Sequence, residues 1–185
     1  MELEVLQQMG EELHRRGLRY LRCGRQGEIF IQRFLLFGYG KLDTPEYALP
    51  NFILHHWEEL IDDLWPHDHG RKTESYILHG GYDEKIWLPD GRIEERIRRP
   101  GSVTTLEFDQ KHKLSNILPD TWTIFMVGPM VREYHMYSED GVLTRQDVWS
   151  ADKQGLAGVH LDTPELRKRI ARRKVAAQRL ANQKD

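Results

Sequence analysis

Cysteine is almost absent from this chain: one residue, Cys23, in 185. A single thiol excludes an intramolecular disulfide framework and fits a reducing compartment. Long apolar runs are missing as well. No window approaches the roughly 18–20 consecutive apolar residues of a membrane-spanning helix, and residues 1–21 carry acids where a secretory signal would be apolar. An excess of charge of one sign is also lacking. Lys and Arg number 27 against 29 Asp and Glu, a formal net charge of -2, which gives no global argument for nucleic acid or an anionic membrane as partner. These absences set the expectation of a soluble, cytoplasmic protein.

What is present suits one domain with modest extensions. A chain of 185 residues can bury a real core, and 39% hydrophobic against 30% charged residues predicts a compact core surrounded by charged segments. Residues 3–16 place Leu3, Leu6, Met9 and Leu13 at helical spacing, with Gly17 as a stop. From Tyr20 the period changes. Residues 28–37 are rich in β-branched and aromatic side chains, and a loop is expected over 41–50. Trp57, Leu60, Ile61 and Leu64 sit at helical spacing and predict a short helix over 52–64.

The centre reads as strands and tight turns. Strands are expected over 74–78, 82–88, 92–99 and 102–108, separated by Gly80-Gly81, Pro89-Asp90-Gly91 and Pro100-Gly101. Residues 121–127 are continuously apolar or β-prone, as in a strand buried on both faces, and 131–137 with 142–149 predict a last hairpin. Such spacing indicates an all-β sandwich or closed barrel. After about residue 155 the chain turns helical and basic, with Thr163 as cap, Pro164 at the first helical position, and Arg167, Lys168, Arg169, Arg172, Arg173, Lys174 and Arg179 behind them. The expected division is a helical extension over 1–19, a barrel over 20–150 and a basic helical tail over 151–185.

Chemistry concentrates in the histidines. His67 and His69 are one residue apart, Glu74 follows, and His112 lies further on with Asn116 behind it. Residues i and i+2 of a strand share a face, so His67 and His69 can aim at one point. Three neutral nitrogens and a carboxylate form a ligand set for a first-row divalent metal, with positions left for water or substrate. With a turn at Gly70-Arg71-Lys72, the residues Glu74, Tyr76 and Leu78 are expected to point inward from the next strand. Tyr76 and His135 are the further candidates for the pocket. Asp68 alternates outward, His55-His56 is expected to be a solvated pair, and Trp87, Trp122 and Phe125 are expected in the core.

The same residues carry a family resemblance. His67-Asp68-His69, then Glu74, then Gly80 resembles the first motif of the cupin superfamily, and the segment from His112 to Asn116 resembles part of the second. Pro66-His67-Asp68-His69, Ile77-Leu78-His79-Gly80-Gly81-Tyr82, Arg99-Pro100-Gly101-Ser102 and Thr121-Trp122-Thr123 with Gly128-Pro129 resemble small bacterial and phage cupins. The resemblance covers roughly residues 20–150. It departs at 108–112, which lacks the Pro-x-Gly turn that precedes the second-motif histidine, and at Glu74, where the small cupins often carry no acid. It is distantly similar to thiol dioxygenases, relatives with a three-histidine site, although Cys23 matches nothing in their cysteine–tyrosine crosslink.

The resemblance implies a double-stranded β-helix (RmlC-like jelly roll) holding a divalent transition metal on His67, His69, His112 and Glu74. Fe(II) is the expected ion, with Ni, Zn or Mn as alternatives. The expected activity is that of a mononuclear non-haem Fe(II) oxygenase acting on a small organic molecule. Two other readings stand beside it: a non-catalytic module binding a ligand or metal, and a nucleic-acid-associated protein using its basic tail. Surplus apolar positions over 28–37 predict a homodimer.

Overall fold

The computed structural model describes residues 1–23, 28–38, 51–58, 63, 65–139, 141–144 and 158–181. The loop expected over 41–50 and most of the strand expected over 142–149 lie outside them. In chain order the elements are α1 (Leu3–Arg15), β1 (Arg19–Cys23), β2 (Ile29–Gly38), β3 (Asn51–Trp57), β4 (Thr73–His79), β5 (Tyr82–Trp87) and β6 (Ile93–Arg98). They continue with β7 (Val103–Leu106), β8 (His112–Ser115), β9 (Trp122–Val127), β10 (His135–Ser138), β11 (Gly141–Thr144), β12 (Gly158–Leu161) and α2 (Pro164–Ala181). No described helix is long and apolar enough to cross a membrane.

The strands form a seven-stranded sheet, ordered β12-β1-β2-β3-β9-β4-β7, and a three-stranded sheet, β6-β5-β8. Their pairings are antiparallel. The hairpin β10-β11 continues the small sheet through one residue, because His67 bridges to His112 of β8 on one side and to Met136 of β10 on the other. Residues of both sheets line a single cavity between them. This is the jelly-roll barrel that the resemblance implied, within the sandwich-or-barrel class left open by the turn spacing, with its interior lined by alternate residues of each strand.

Helix α1 closes the outer face of the large sheet. Leu6 is buried against Phe34, Leu54, Leu78 and Trp122, and Phe34 stacks on Trp122 with ring centroids 6.0 Å apart. Gly10 allows this close approach, since a Cβ there would lie 3.0 Å from the Trp122 ring. The helix expected over 52–64 does not form at its start; residues 51–57 are β3. Ile53 faces the interior while Leu54 is buried under α1, so both faces are apolar and the period of two is masked.

The carboxyl-terminal region is more integrated than a tail after residue 150. Strand β12 pairs with β1 in the register Tyr20↔Leu161 to Cys23↔Gly158 and extends the large sheet. Thr163 caps α2 as expected, its hydroxyl accepting the Leu166 N–H at 3.1 Å. Leu166 and Ile170 are buried against Leu21, Cys23 and Ile29, so one stripe of this basic helix is a brace on the barrel. Asp162 locks the junction. It accepts from Arg19 at 2.5 Å and from Arg167 at 2.8 and 3.0 Å.

Candidate metal centre

The site is built around the shortest piece of strand in the barrel. The His67 N–H donates to the His112 carbonyl at 2.8 Å and the His112 N–H returns the bond to the His67 carbonyl at 2.8 Å. Two candidate ligands therefore sit on one antiparallel rung. His69, two residues on, brings its Nε2 to 2.9 Å from His112 Nε2. Ligand-capable nitrogens of His67, His69 and His112 all lie within 4.8 Å of one another.

Asp68, between the two histidines, points the other way and is fully buried. Its carboxylate accepts from Arg132 at 3.1 and 2.7 Å, from the His135 main-chain N–H at 3.0 Å and from the Tyr137 hydroxyl at 2.6 Å. This fixes the segment from both sides. Burial works to raise the Asp68 pKa, but those bonds outweigh it and hold the carboxyl below its ordinary value. Gly70 completes the turn at a φ of 64°, with its carbonyl accepting from Val131 at 2.9 Å. A Cβ at Gly70 would collide with the main chain of Arg132.

The environment keeps His67 and His69 neutral. Burial, followed by the neighbouring charge of His112, pushes the His67 and His69 pKa values well below the ordinary imidazole value. Neutral rings keep their lone pairs available to a metal. His112 is oriented by Glu84, whose Oε1 accepts from His112 Nδ1 at 2.8 Å and leaves Nε2 facing His69. The other oxygen of Glu84 accepts from Arg98 Nε at 2.8 Å and from the Thr104 hydroxyl at 3.1 Å. Glu84 is only 1% exposed; burial opposes its ionisation, but His112 and Arg98 hold its pKa below the ordinary carboxylate value.

Among the expected site residues, His67, His69 and His112 come together and the others do not join them. In β4, Thr73 and Ser75 face the cavity, so the alternate residues Glu74 and Tyr76 face outward. The turn at 70–72 sets a phase one residue different from the one expected, and a slip of one residue reverses every side chain. Tyr76 is accordingly 39% exposed. His135 stands outside the cavity lining, its ring Nδ1 paired with Arg132 at 2.8 Å. Asn116 serves a turn at a φ of 50° and donates to Asp83 at 2.8 Å.

Two residues of the site were not anticipated. Glu84 could have been found from Tyr82-x-Glu84-x-Ile86, an acid placed on the apolar face of an alternating strand. His55 was expected in solvent but is 5% exposed and lines the cavity, stacked on Phe125 at 5.0 Å. Its neighbour His56 points the other way, as adjacent residues of a strand do, and the pair as a unit therefore reads as solvated. Phe125 is a cavity wall and contacts the His69 ring at 5.2 Å.

The donor set fits a divalent transition metal. His67, His69 and His112 would hold such an ion through ring nitrogens that lie within 4.8 Å of one another, and the ion would supply Lewis acidity at the cavity.

No family model and no curated protein matches the chain. Solved structures do resemble it. KdgF from a Halomonas species is 21% identical over 54% of this chain and 79% of that one, with a TM-score of 0.41. Oxalate decarboxylase from Bacillus subtilis is 11% identical over 63% of this chain and 28% of the decarboxylase, with a TM-score of 0.43. An RmlC-like cupin from Shewanella frigidimarina is 16% identical over 54% of this chain and 77% of that one, with a TM-score of 0.39.

Proposed function

We propose that the chain is a metal-dependent cupin enzyme, a mononuclear non-haem Fe(II)-type oxygenase of a small organic molecule. The observation that carries this reading is the convergence of His67, His69 and His112 in the lining of one cavity. A bound Fe(II) would supply open coordination positions for substrate and O₂. The protein's own contribution is to hold the three imidazoles together and orient His112 through Glu84. Phe125, Leu106 and Leu114 are among the cavity's apolar walls.

Elemental analysis of anaerobically purified protein, followed by O₂ consumption against a metabolite panel, tests the proposal. One equivalent of iron and O₂ uptake with a single compound class are expected. Nickel, zinc or manganese without O₂ uptake would overturn the oxygenase reading and leave a metal-binding module.

The proposal includes a homodimer. Leu36, Phe37 and Phe52 are exposed at one end of β2 and β3, with the two phenylalanine rings in edge contact at 6.1 Å. Apolar surface grouped in this way suits a contact between copies. Light scattering should give a dimer mass that Phe37→Glu lowers to a monomer; a monomeric wild type at high micromolar concentration would refute it.

A further inference from the structure

The two histidines that share a main-chain rung differ in how Nδ1 of each ring is served. His112 Nδ1 has the Glu84 carboxylate at 2.8 Å. His67 Nδ1 is buried and has no hydrogen-bond partner among the described residues. A buried donor left unmade is costly, so a nitrogen in this position calls for an acceptor.

Asp63 stands where that acceptor is needed. Its Oδ2 lies 3.5 Å from His67 Nδ1, slightly longer than a normal hydrogen bond. Strand β8 holds it there: the Asp63 N–H donates to the Leu114 carbonyl at 3.0 Å, and Oδ2 accepts the Leu114 N–H at 2.8 Å. Leu114 follows His112 by two residues on the same strand, so one strand carries His112 and also fixes the acid beside His67. Asp63 lines the cavity but is not one of the three residues whose ligand atoms lie within 4.8 Å of one another. Its place is beside a ligand, not among the ligands.

The tautomer follows from this placement. A neutral imidazole carries one proton on one of its two nitrogens, and an ionised carboxylate only accepts. An acceptor at Nδ1 draws the proton there and leaves the lone pair on Nε2. His112 shows the same arrangement, with Glu84 at Nδ1 and Nε2 turned to His69 Nε2 at 2.9 Å. The Trp65 main chain also acts on the His67 ring, and Asp63 is the acid that stands at its Nδ1.

We propose that Asp63 is a positioning residue of the metal centre: its carboxylate accepts the Nδ1 proton of His67 and so presents the Nε2 lone pair to the ion. The proposal rests on the metal-binding part of the reading above. It adds a second carboxylate–histidine pair to that of Glu84 and His112, and such pairs raise the basicity of the ligating nitrogen as well as orienting the ring. Both residues of the rung are then fixed in tautomer as well as in spacing.

The test uses the full-length chain labelled with nitrogen-15 at histidine, the His67 signals being assigned by their loss in His67→Ala. Long-range proton–nitrogen NMR spectra of the metal-free wild type should show His67 protonated on Nδ1. Asp63→Ala, which removes the acceptor, should shift the ring toward the Nε2-protonated form. Asp63→Asn keeps an oxygen for the Leu114 N–H but loses the charge. It should weaken Zn(II) binding roughly 10- to 100-fold in competition with a chelator, while the melting temperature of the metal-free protein stays close to wild type. A wild-type His67 protonated on Nε2, or an Asp63→Asn protein that binds zinc like wild type, would overturn the proposal. If Asp63→Ala does not fold, the wild-type tautomer and Asp63→Asn decide. A wild type that takes up no zinc would sink the metal centre and the role of Asp63 with it; normal zinc uptake with an Nε2-protonated His67 in the metal-free protein would sink Asp63 alone.

Discussion

His112 and Glu84 share a hydrogen bond of 2.8 Å from Nδ1 to Oε1, buried on both sides, and this bond decides which nitrogen of His112 faces the candidate metal position. Glu84→Gln keeps an acceptor but removes the charge that balances Arg98. Metal affinity should fall roughly 10- to 100-fold, measured by competition with a zinc chelator. An unchanged affinity would mean that Glu84 does not orient the ligand.

His67→Ala, His69→Ala and His112→Ala should each abolish stoichiometric metal binding, since each removes a nitrogen that no neighbour replaces. Glu74→Gln should leave metal content unchanged, because its carboxylate faces away from the cavity that Thr73 and Ser75 line. Elemental analysis of the four variants checks both statements, and loss of metal in Glu74→Gln would contradict the strand phase.

Acid should destabilise the fold through His55. Burial, then the charges of Arg33 and Arg22, push its pKa well below the ordinary value. The folded ring stays neutral while the unfolded ring takes a proton below about pH 6.5, so stability falls as pH drops through that value. Thermal melts between pH 7.5 and 5.5 should show a shallower loss for His55→Gln than for wild type. Parallel slopes would count against a buried neutral His55.

The brace formed by α2 rests on Asp162, whose side chain is 2% exposed. Burial opposes its ionisation, but the bonds from Arg167 and the charge of Arg19 hold its pKa below the ordinary carboxylate value. Its stabilising effect is complete above the unfolded pKa of about 3.9 and is lost as pH falls through the lower folded value. Asp162→Asn should cost about 1.5–3 kcal/mol at neutral pH, and Leu166→Ala about 2–5 kcal/mol. Denaturant melts measure both; a native-like midpoint in each would show that α2 does not support the barrel.

The barrel was legible because turns leave strong local marks. Pro89-Asp90-Gly91 gives the expected hairpin, with Asp90 accepting the Arg92 N–H at 3.0 Å. The histidine pair was legible because alternation along a strand puts His67 and His69 on one face. What escaped depended on parity and on long-range pairing. Glu74 and Ser75 differ only in which face a three-residue turn presents. Strand β3 is apolar on both faces because α1 covers one of them, and that contact spans distant parts of the sequence. The place of β12 beside β1 likewise joins the two ends of the described chain, which no local pattern announces.

The rung between His67 and His112 gives the candidate centre a fixed pair and an adjustable third member. Paired main-chain bonds tie the first two residues, so any sliding of the small sheet carries both together and preserves their spacing. His69 lies beyond the rung and leans on Phe125. The side chain at position 125 therefore acts as a set-screw for coordination geometry: trimming it releases one ligand while leaving the spacing of the other two in the hands of the backbone.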